Sequence, residues 1–291
     1  MTISEIQDSK KITVSFEVFP PKTDASLSST IDVARQLDSL RPDYISVTWG
    51  AGGSTAGRTV EISRRIAALG RPALAHLTCV GNTPESVAAT MDELKKAGVE
   101  NVLALRGDFP PDGPGELHPS LRHASDLCAM LKAAGFCVGA ACYPEGHPEC
   151  QNRDEDVDNM VKKVEAGADF LVTQMFFDNN MLYSYLYRLQ KRGVRLPVHA
   201  GIMPVTSARQ VSRMVKLSNA YVPSKLLTFC DKFAENPAAM RQAGVAYATD
   251  QIIDLIGNGV GGIHLYTMNK PEVTRDIVRN VDAIVGAVNA S

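Results

Sequence analysis

Lys95-Lys96-Ala97-Gly98-Val99 ends one amphipathic stretch and opens an apolar one, Asn101 to Arg106. Glycine after a basic, small-residue turn marks a helix end, because it enters the left-handed conformation that satisfies the last carbonyls without a Cβ penalty. The same seam recurs at Lys132-Ala133-Ala134-Gly135-Phe136, Val164-Glu165-Ala166-Gly167-Ala168 and Lys191-Arg192-Gly193-Val194. A helix-to-strand junction used this often implies strict α/β alternation.

Worked outward from these seams, helical spacing and strand alternation divide the rest of the chain. Helices are predicted over Ser26–Leu40, Thr59–Leu69, Pro84–Ala97, Ser120–Ala134, Asp154–Ala166, Met181–Lys191, Ser207–Ser218 and Pro271–Val288. Strands are predicted from Val14 and over Asp43–Trp49, Ala73–Cys79, Asn101–Arg106, Cys137–Tyr143, Asp169–Met175, Pro197–Ile202 and Gly262–Thr267. A helical insertion from Pro223 to about Ile256 precedes the last strand. Eight units of roughly 30 to 40 residues fit an α/β fold, the (β/α)8 barrel, better than an open doubly wound sheet. The whole chain, 1–291, reads as one catalytic barrel domain, with 1–11 expected to be a flexible N-terminal segment.

The first strand, Val14-Ser15-Phe16-Glu17-Val18-Phe19, is stopped by Pro20-Pro21. Its period of two puts Val14, Phe16 and Val18 on one face and Thr13, Ser15 and Glu17 on the other. Glu17 thus stands at the strand's C-terminal mouth. By itself that fits an exposed or ion-paired edge carboxylate as well as a catalytic one.

With 45% hydrophobic and 21% charged residues and a formal net charge of −2, the 291-residue chain has a sizeable core and no nucleic-acid surface. No apolar run reaches membrane-spanning length and Met1–Lys10 has no signal-peptide core, so a cytoplasmic location is expected. The six cysteines have no C-x-x-C spacing and are expected as free thiols. Cys137, Cys142, His147 and Cys150 do not read as a metal site, since Cys137 and Cys142 fall on opposite faces of a strand. No metal is expected.

In a barrel, catalytic groups gather at the C-terminal ends of the strands. Polar residues collect there repeatedly: Glu17, then Thr48-Trp49-Gly50-Ala51-Gly52-Gly53, His76 and Thr78, Arg106-Gly107-Asp108, Tyr143-Pro144-Glu145-Gly146-His147, Thr173-Gln174 and Tyr266-Thr267-Met268-Asn269-Lys270. The stretches Phe16-Glu17-Val18-Phe19-Pro20-Pro21, His76-Leu77-Thr78-Cys79, Leu105-Arg106-Gly107-Asp108-Phe109-Pro110-Pro111, Tyr143-Pro144-Glu145-Gly146-His147-Pro148 and Thr173-Gln174-Met175-Phe176-Phe177-Asp178 resemble the bacterial, single-domain type of methylenetetrahydrofolate reductase, in order from Val14 to about Asn280.

That resemblance implies a flavin-bearing homo-oligomer in which NADH or NADPH reduces FAD, and the flavin then reduces 5,10-methylenetetrahydrofolate to 5-methyltetrahydrofolate. It implies FAD contacts from Thr48, Trp49, Ala51, His76, Arg106, Gly107, Asp108, Ala124, Tyr143, His147, Asp156, Asn159, Lys162 and Lys163. Opening the methylene bridge requires a proton on the leaving nitrogen, and Glu17 is the candidate general acid. By resemblance, Asp108 lies where an anion favours a cationic folate intermediate. Gln174 is the amide shared by folate and nicotinamide, and Gln210 lies on the folate side. Without the resemblance, Asp108 reads as a turn residue, Gln174 as a strand-end amide and the Asp156-Asn159-Lys163 helix face as solvated.

Four positions depart from the family pattern: His123 stands for a tyrosine and Lys162 for an arginine at the flavin, and Met214 for a phenylalanine and Lys270 for an arginine at the folate. Methionine keeps apolar contact but cannot stack as a ring, and lysine keeps charge but loses the planar fork. A flavin-free folate-binding barrel, either a corrinoid-linked methyltransferase or a non-catalytic subunit, is the alternative function.

Overall fold

The computed structural model describes residues 1–21, 23–50, 56–109, 117–211, 214 and 220–291. Eight parallel strands close on themselves in sequence order: β1 (Thr13–Val18), β2 (Tyr44–Val47), β3 (Ala73–Thr78), β4 (Asn101–Leu105), β5 (Cys137–Cys142), β6 (Phe170–Thr173), β7 (Val198–Ile202) and β8 (Gly262–Tyr266). Closure is made by β1 on β8, in register from Thr13 opposite Gly262 to Glu17 opposite Tyr266. The (β/α)8 barrel expected from the seams is the fold observed.

The helices are α1 (Ile3–Ser9), α2 (Leu27–Asp38), α3 (Ala56–Ala68), α4 (Pro84–Lys96), α5 (Ala124–Ala133), α6 (Arg153–Glu165), α7 (Asn179–Lys191), α8 (Ser224–Phe233), α9 (Pro237–Gly257) and α10 (Pro271–Ala290). The insertion before β8 is therefore two helices, broken at Asn236-Pro237, where Asn236 caps the Ala239 amide. Much of the predicted helix Ser207–Ser218 lies outside the described residues, as do Ala51-Gly52-Gly53 and Pro110-Pro111. Helix α5 starts at Ala124 rather than Ser120, because the Asp126 carboxylate accepts from the amides of Arg122 and His123 at 2.9 Å each and fixes the first turn there.

All four seam glycines have positive φ, from 75° at Gly98 to 103° at Gly167. At each, the next amide reaches back to the carbonyl five residues earlier, as in Val99 to Leu94 at 3.0 Å and Phe136 to Leu131 at 3.1 Å. This double closure turns the chain directly into the following strand.

The N-terminal segment, expected to be flexible, is instead the floor of the barrel. Thr2 and Glu5 form a capping box, which nucleates α1 despite its seven residues. The Ile3 amide donates to Asn101 Oδ1 at 2.7 Å. Its fully buried side chain packs with Tyr44, Leu74, Leu103, Cys137 and Phe170 inside the barrel. The sequence signal was Thr2-x-x-Glu5 followed by Ile6 on the same apolar face as Ile3.

Candidate active site

The β1 stripe of Thr13, Ser15 and Glu17 faces the barrel interior, and its members are 1%, 0% and 4% exposed. Low exposure this close to the mouth requires polar partners. Glu17 Oε2 has Ser46 Oγ of β2 and His264 Nε2 of β8 at 3.4 Å and His76 Nε2 of β3 at 3.5 Å. Among the described residues, Oε1 has no hydrogen bond. The strand end is fixed from β8: Thr267 Oγ1 donates to the Glu17 carbonyl at 2.6 Å, and the Asn269 side chain makes paired bonds to Phe19 N and O at 2.9 and 2.8 Å. To do so Met268 and Asn269 adopt left-handed φ values of 50° and 55°, a strained pair that the clamp holds in place.

His76 is buried, and burial pushes its imidazole down to about 4, against an opposing pull from Glu17, so it is neutral at pH 7. Its Nε2 and the Trp49 indole Nε1 have no hydrogen-bond partner and no solvent contact. Thr48, beside Trp49, is anchored through its amide to Val18 O at 3.1 Å.

A second group forms around β5. Tyr143 is packed edge-on to His147 with ring centroids 4.7 Å apart, and Lys163 Nζ lies 5.8 Å from the Tyr143 ring. The His147 amide donates to Asp156 Oδ1 at 3.2 Å, Asn159 Nδ2 to Cys150 Sγ at 3.6 Å and Lys162 Nζ to Asn159 Oδ1 at 2.8 Å. Burial raises the Asp156 carboxyl and lowers the Lys163 ammonium, each partly offset by the other's charge. Lys163 points inward, donating to Ala141 O at 2.8 Å, while Lys162 is exposed. The Asp156-Asn159-Lys163 face of α6 is therefore at least half-buried, with Asp156 fully packed in, rather than freely solvated.

Arg106 joins this group through a two-pronged pair with Glu149, whose amide in turn donates to His147 Nδ1 at 3.2 Å. The Glu149 bond holds the Arg106 guanidinium above its ordinary value. Gly107, at φ 85°, brings its backbone so close that a Cβ would lie 2.8 Å from Thr78 Cβ. Asp108 is exposed, and its charge acts on Tyr143 and Arg106. His123 is exposed at the N-cap of α5, and Ala124 is buried behind it.

Gln174, with Tyr143, Pro144, Glu145, Met175 and Ala220, lines a narrow slit at the mouth. Its Oε1 accepts the Met175 amide at 2.9 Å, and among the described residues its NH2 has no hydrogen bond. Tyr266 OH donates to Thr173 O at 2.6 Å, tying β8 to β6 beside it. Gln210 and Lys270 meet through Thr206: the Thr206 amide donates to Gln210 Oε1 at 3.1 Å and Lys270 Nζ to Thr206 Oγ1 at 3.0 Å. Met214 is 5% exposed and packed with Met175, Phe177 and Val205 in a satellite core. Ala51 lies outside the described residues.

The larger hollow, about 330 Å³, lies on the outer surface between α9 and α10 and includes none of these residues. Among the described residues, no three His, Cys, Asp or Glu side chains converge to hold a metal, and no helix is long and apolar enough to cross a membrane.

A family profile described as methylenetetrahydrofolate reductase matches residues 2–282. The chain belongs to the methylenetetrahydrofolate reductase family. Named relatives agree: it is 34% identical to the 5,10-methylenetetrahydrofolate reductase of Pectobacterium carotovorum, over 94% of this chain and 90% of that one. It is 33% identical to the Escherichia coli enzyme of the same name, over 94% and 91%. Against methylenetetrahydrofolate reductase (NADH) 1 of Arabidopsis thaliana it is 30% identical, spanning 97% of this chain and half of the longer protein. Among solved structures, a Clostridium thermocellum protein described as binding two copies of 5-methyl-5,6,7,8-tetrahydrofolic acid superposes with a TM-score of 0.65 at 12% identity, covering 97% of this chain and 98% of that one. At that identity the likeness concerns the fold.

The sequence reading missed two polar groups around Glu17, Ser46 and His264. Each lies two residues before a position singled out, Thr48 and Tyr266, and so points into the barrel one layer deeper. Ser15 stands in the same relation to Glu17.

Proposed function

We propose that this reductase converts 5,10-methylenetetrahydrofolate to 5-methyltetrahydrofolate as a homo-oligomer, with bound FAD serving NADH or NADPH and folate in alternation, and so supplies methyl groups for methionine synthesis. The observation that carries the chemistry is Glu17: a buried carboxylate at a strand mouth, one oxygen surrounded by protein groups and the other left for a ligand.

FAD fits the residues present. Trp49 Nε1 is a buried donor and His76 Nε2 a buried ring nitrogen, neither with a hydrogen bond, a condition that costs about 1–3 kcal/mol per group unless a ligand answers it. Arg106 and Lys162 would supply charge for the diphosphate, with Asp156, Asn159 and Lys163 of α6 and the Tyr143 and His147 rings beside them. Bound FAD would take hydride from the nicotinamide and give it to the folate. Glu17 delivers a proton to the leaving folate nitrogen, which opens the methylene bridge to the cationic species that accepts the hydride. Asp108 favours the cationic folate species by its charge. The free NH2 of Gln174 orients folate or nicotinamide. Lys270, beside Gln210, attracts the folate carboxylates, while Met214 supports that wall by packing.

The test is anaerobic mixing of purified protein with each nicotinamide while flavin absorbance is followed, and then addition of the folate. Glu17→Gln is expected to keep flavin bleaching and to lose folate reduction by roughly 10²–10⁴-fold. Normal folate turnover in that variant would remove the acid's role. A colourless protein that takes up no FAD would favour the flavin-free alternative.

A further inference from the structure

We propose that Asn269 is a positioning residue that holds the acid and the folate-side cation on one rigid piece, Glu17 through its main chain and Lys270 as the next residue in the chain. This rests on the roles proposed above for Glu17 and Lys270. The backbone pairing that closes the barrel ends at Glu17 opposite Tyr266. Beyond that point side chains supply the missing rungs. Thr267 Oγ1 donates to the Glu17 carbonyl at 2.6 Å, and the Asn269 carboxamide accepts the Phe19 amide at 2.9 Å and donates to the Phe19 carbonyl at 2.8 Å. On the other side of β1 the Thr48 amide donates to Val18 O at 3.1 Å. Each residue from Glu17 to Phe19 is therefore held by its main chain, and a carboxamide can stand in for a backbone rung because it offers one acceptor and a donor beside it.

The local geometry is not that of a default turn. Met268 and Asn269 are consecutive residues in the left-handed region, which asparagine enters more readily than most and methionine does not. Strain of this kind gathers at functional sites. Thr267 Oγ1 also accepts the Asn269 amide at 3.1 Å, and the Thr267 carbonyl accepts the Lys270 amide at 2.9 Å, so the four residues close on themselves.

Lys270 is thereby set at the N-cap of α10, where its side chain makes no capping bond. A cation is disfavoured at that end of a helix, and serine, threonine, asparagine or aspartate would serve folding better. A lysine there answers to an anionic ligand instead, and its Nζ reaches Thr206 Oγ1 at 3.0 Å, beside Gln210. Both ends of the Asn269 carboxamide are engaged by Phe19, so its effect on the reaction runs through Glu17 and Lys270.

The test is stopped flow on the flavin-loaded protein, with the folate half-reaction followed over a range of folate concentrations to separate rate from affinity. Asn269→Gly keeps the left-handed conformation and removes both bonds to Phe19. It is expected to slow the folate half-reaction at saturation about 10-fold, as misplacement of a reacting group does, and to weaken folate binding several-fold. Flavin reduction by nicotinamide should stay within about twofold. Added to Glu17→Gln, Asn269→Gly should slow nothing further and still weaken binding; added to Lys270→Ala, it should still slow the reaction and weaken binding no further. Asn269→Asp keeps the acceptor for the Phe19 amide but sets an oxygen against the Phe19 carbonyl, and it carries the same measurements should the glycine variant fail to fold. Equal slowing of both half-reactions, or losses that multiply in both double variants, would overturn the proposal in favour of a purely structural role. Normal folate turnover in Glu17→Gln would overturn the acid role and this one with it, whereas a normal rate and affinity in Asn269→Gly beside a slow Glu17→Gln would overturn the positioning role alone.

Discussion

The floor and the mouth of the barrel are built from the same strands, a few residues apart, yet they treat buried polar groups differently. At the floor each is answered within the chain. Asp43 and Asp169 accept the Val14 and Val138 amides at 2.8 Å, and each is also paired with a lysine, Lys10 and Lys132. His199 Nδ1 has Tyr44 OH at 3.1 Å and Thr13 Oγ1 at 3.4 Å, and its Nε2 meets Gln7 of α1. At the mouth, Trp49 Nε1, His76 Nε2 and Glu145 Oε1 are buried without partners, and burial raises the Glu145 carboxyl. An unanswered buried polar group is destabilising by about 1–3 kcal/mol, so these three atoms are groups that the proposed ligand would answer.

The strongest challenge to that division is Ile3→Ala. Removing a fully buried side chain from the floor cluster should cost about 2–5 kcal/mol, read by chemical denaturation. FAD affinity and both half-reactions of the folded protein should stay as in wild type. A parallel fall in FAD affinity would mean that floor and mouth are one cooperative unit.

A smaller effect comes from the two neutral histidines, one at each end. Burial lowers His199 to about 3 and His76 to about 4. Both folded values lie below the ordinary histidine value of about 6.5, so the unfolded chain binds more protons between those limits. Stability is therefore fully present above pH 6.5 and lost as the pH falls toward 4. From pH 7 to pH 5 each histidine should remove about 2 kcal/mol by this linkage. Urea unfolding at the two pH values should show a drop about 2 kcal/mol smaller in His199→Gln than in wild type. An unchanged drop would show that the floor histidine is not held neutral.

Much of this was legible in the sequence. The seams at Gly98, Gly135, Gly167 and Gly193 led to the barrel because each combines a local conformational need with a strand that begins directly after it. Strand period two placed Glu17 with Ser15 and Thr13, and only closure of the sheet showed that this face is the interior rather than solvent. Floor helix α1 went unread because a seven-residue helix with two buried isoleucines has little periodicity, and its stability comes from contacts with Asn101 and Phe170 far along the chain. Met214, expected beside the folate from its family position, packs with Met175 and Phe177, and an apolar side chain carries no sequence mark that separates wall from lining. The pair Arg106–Glu149, 43 residues apart, was equally out of reach of local pattern.

The smallest effect gives the closest match between the two ends, because it compares one kind of cap at each. Asn152 Oδ1 accepts the Asp154 and Glu155 amides at 3.0 and 2.9 Å and starts α6, whose first turns hold Asp156 against the His147 amide. Thr2 does the same for α1, with Oγ1 accepting the Glu5 amide at 3.2 Å. Replacing either cap by alanine removes a similar interaction, about 1 kcal/mol. The consequences should differ. Asn152→Ala loosens the turn that presents Asp156 and should weaken FAD binding several-fold in a fluorescence titration, whereas Thr2→Ala should leave it unchanged at the same loss of stability. Equal weakening in both would show that affinity follows global stability, and the unanswered polar groups at the mouth would then lose their meaning as the mark of a site.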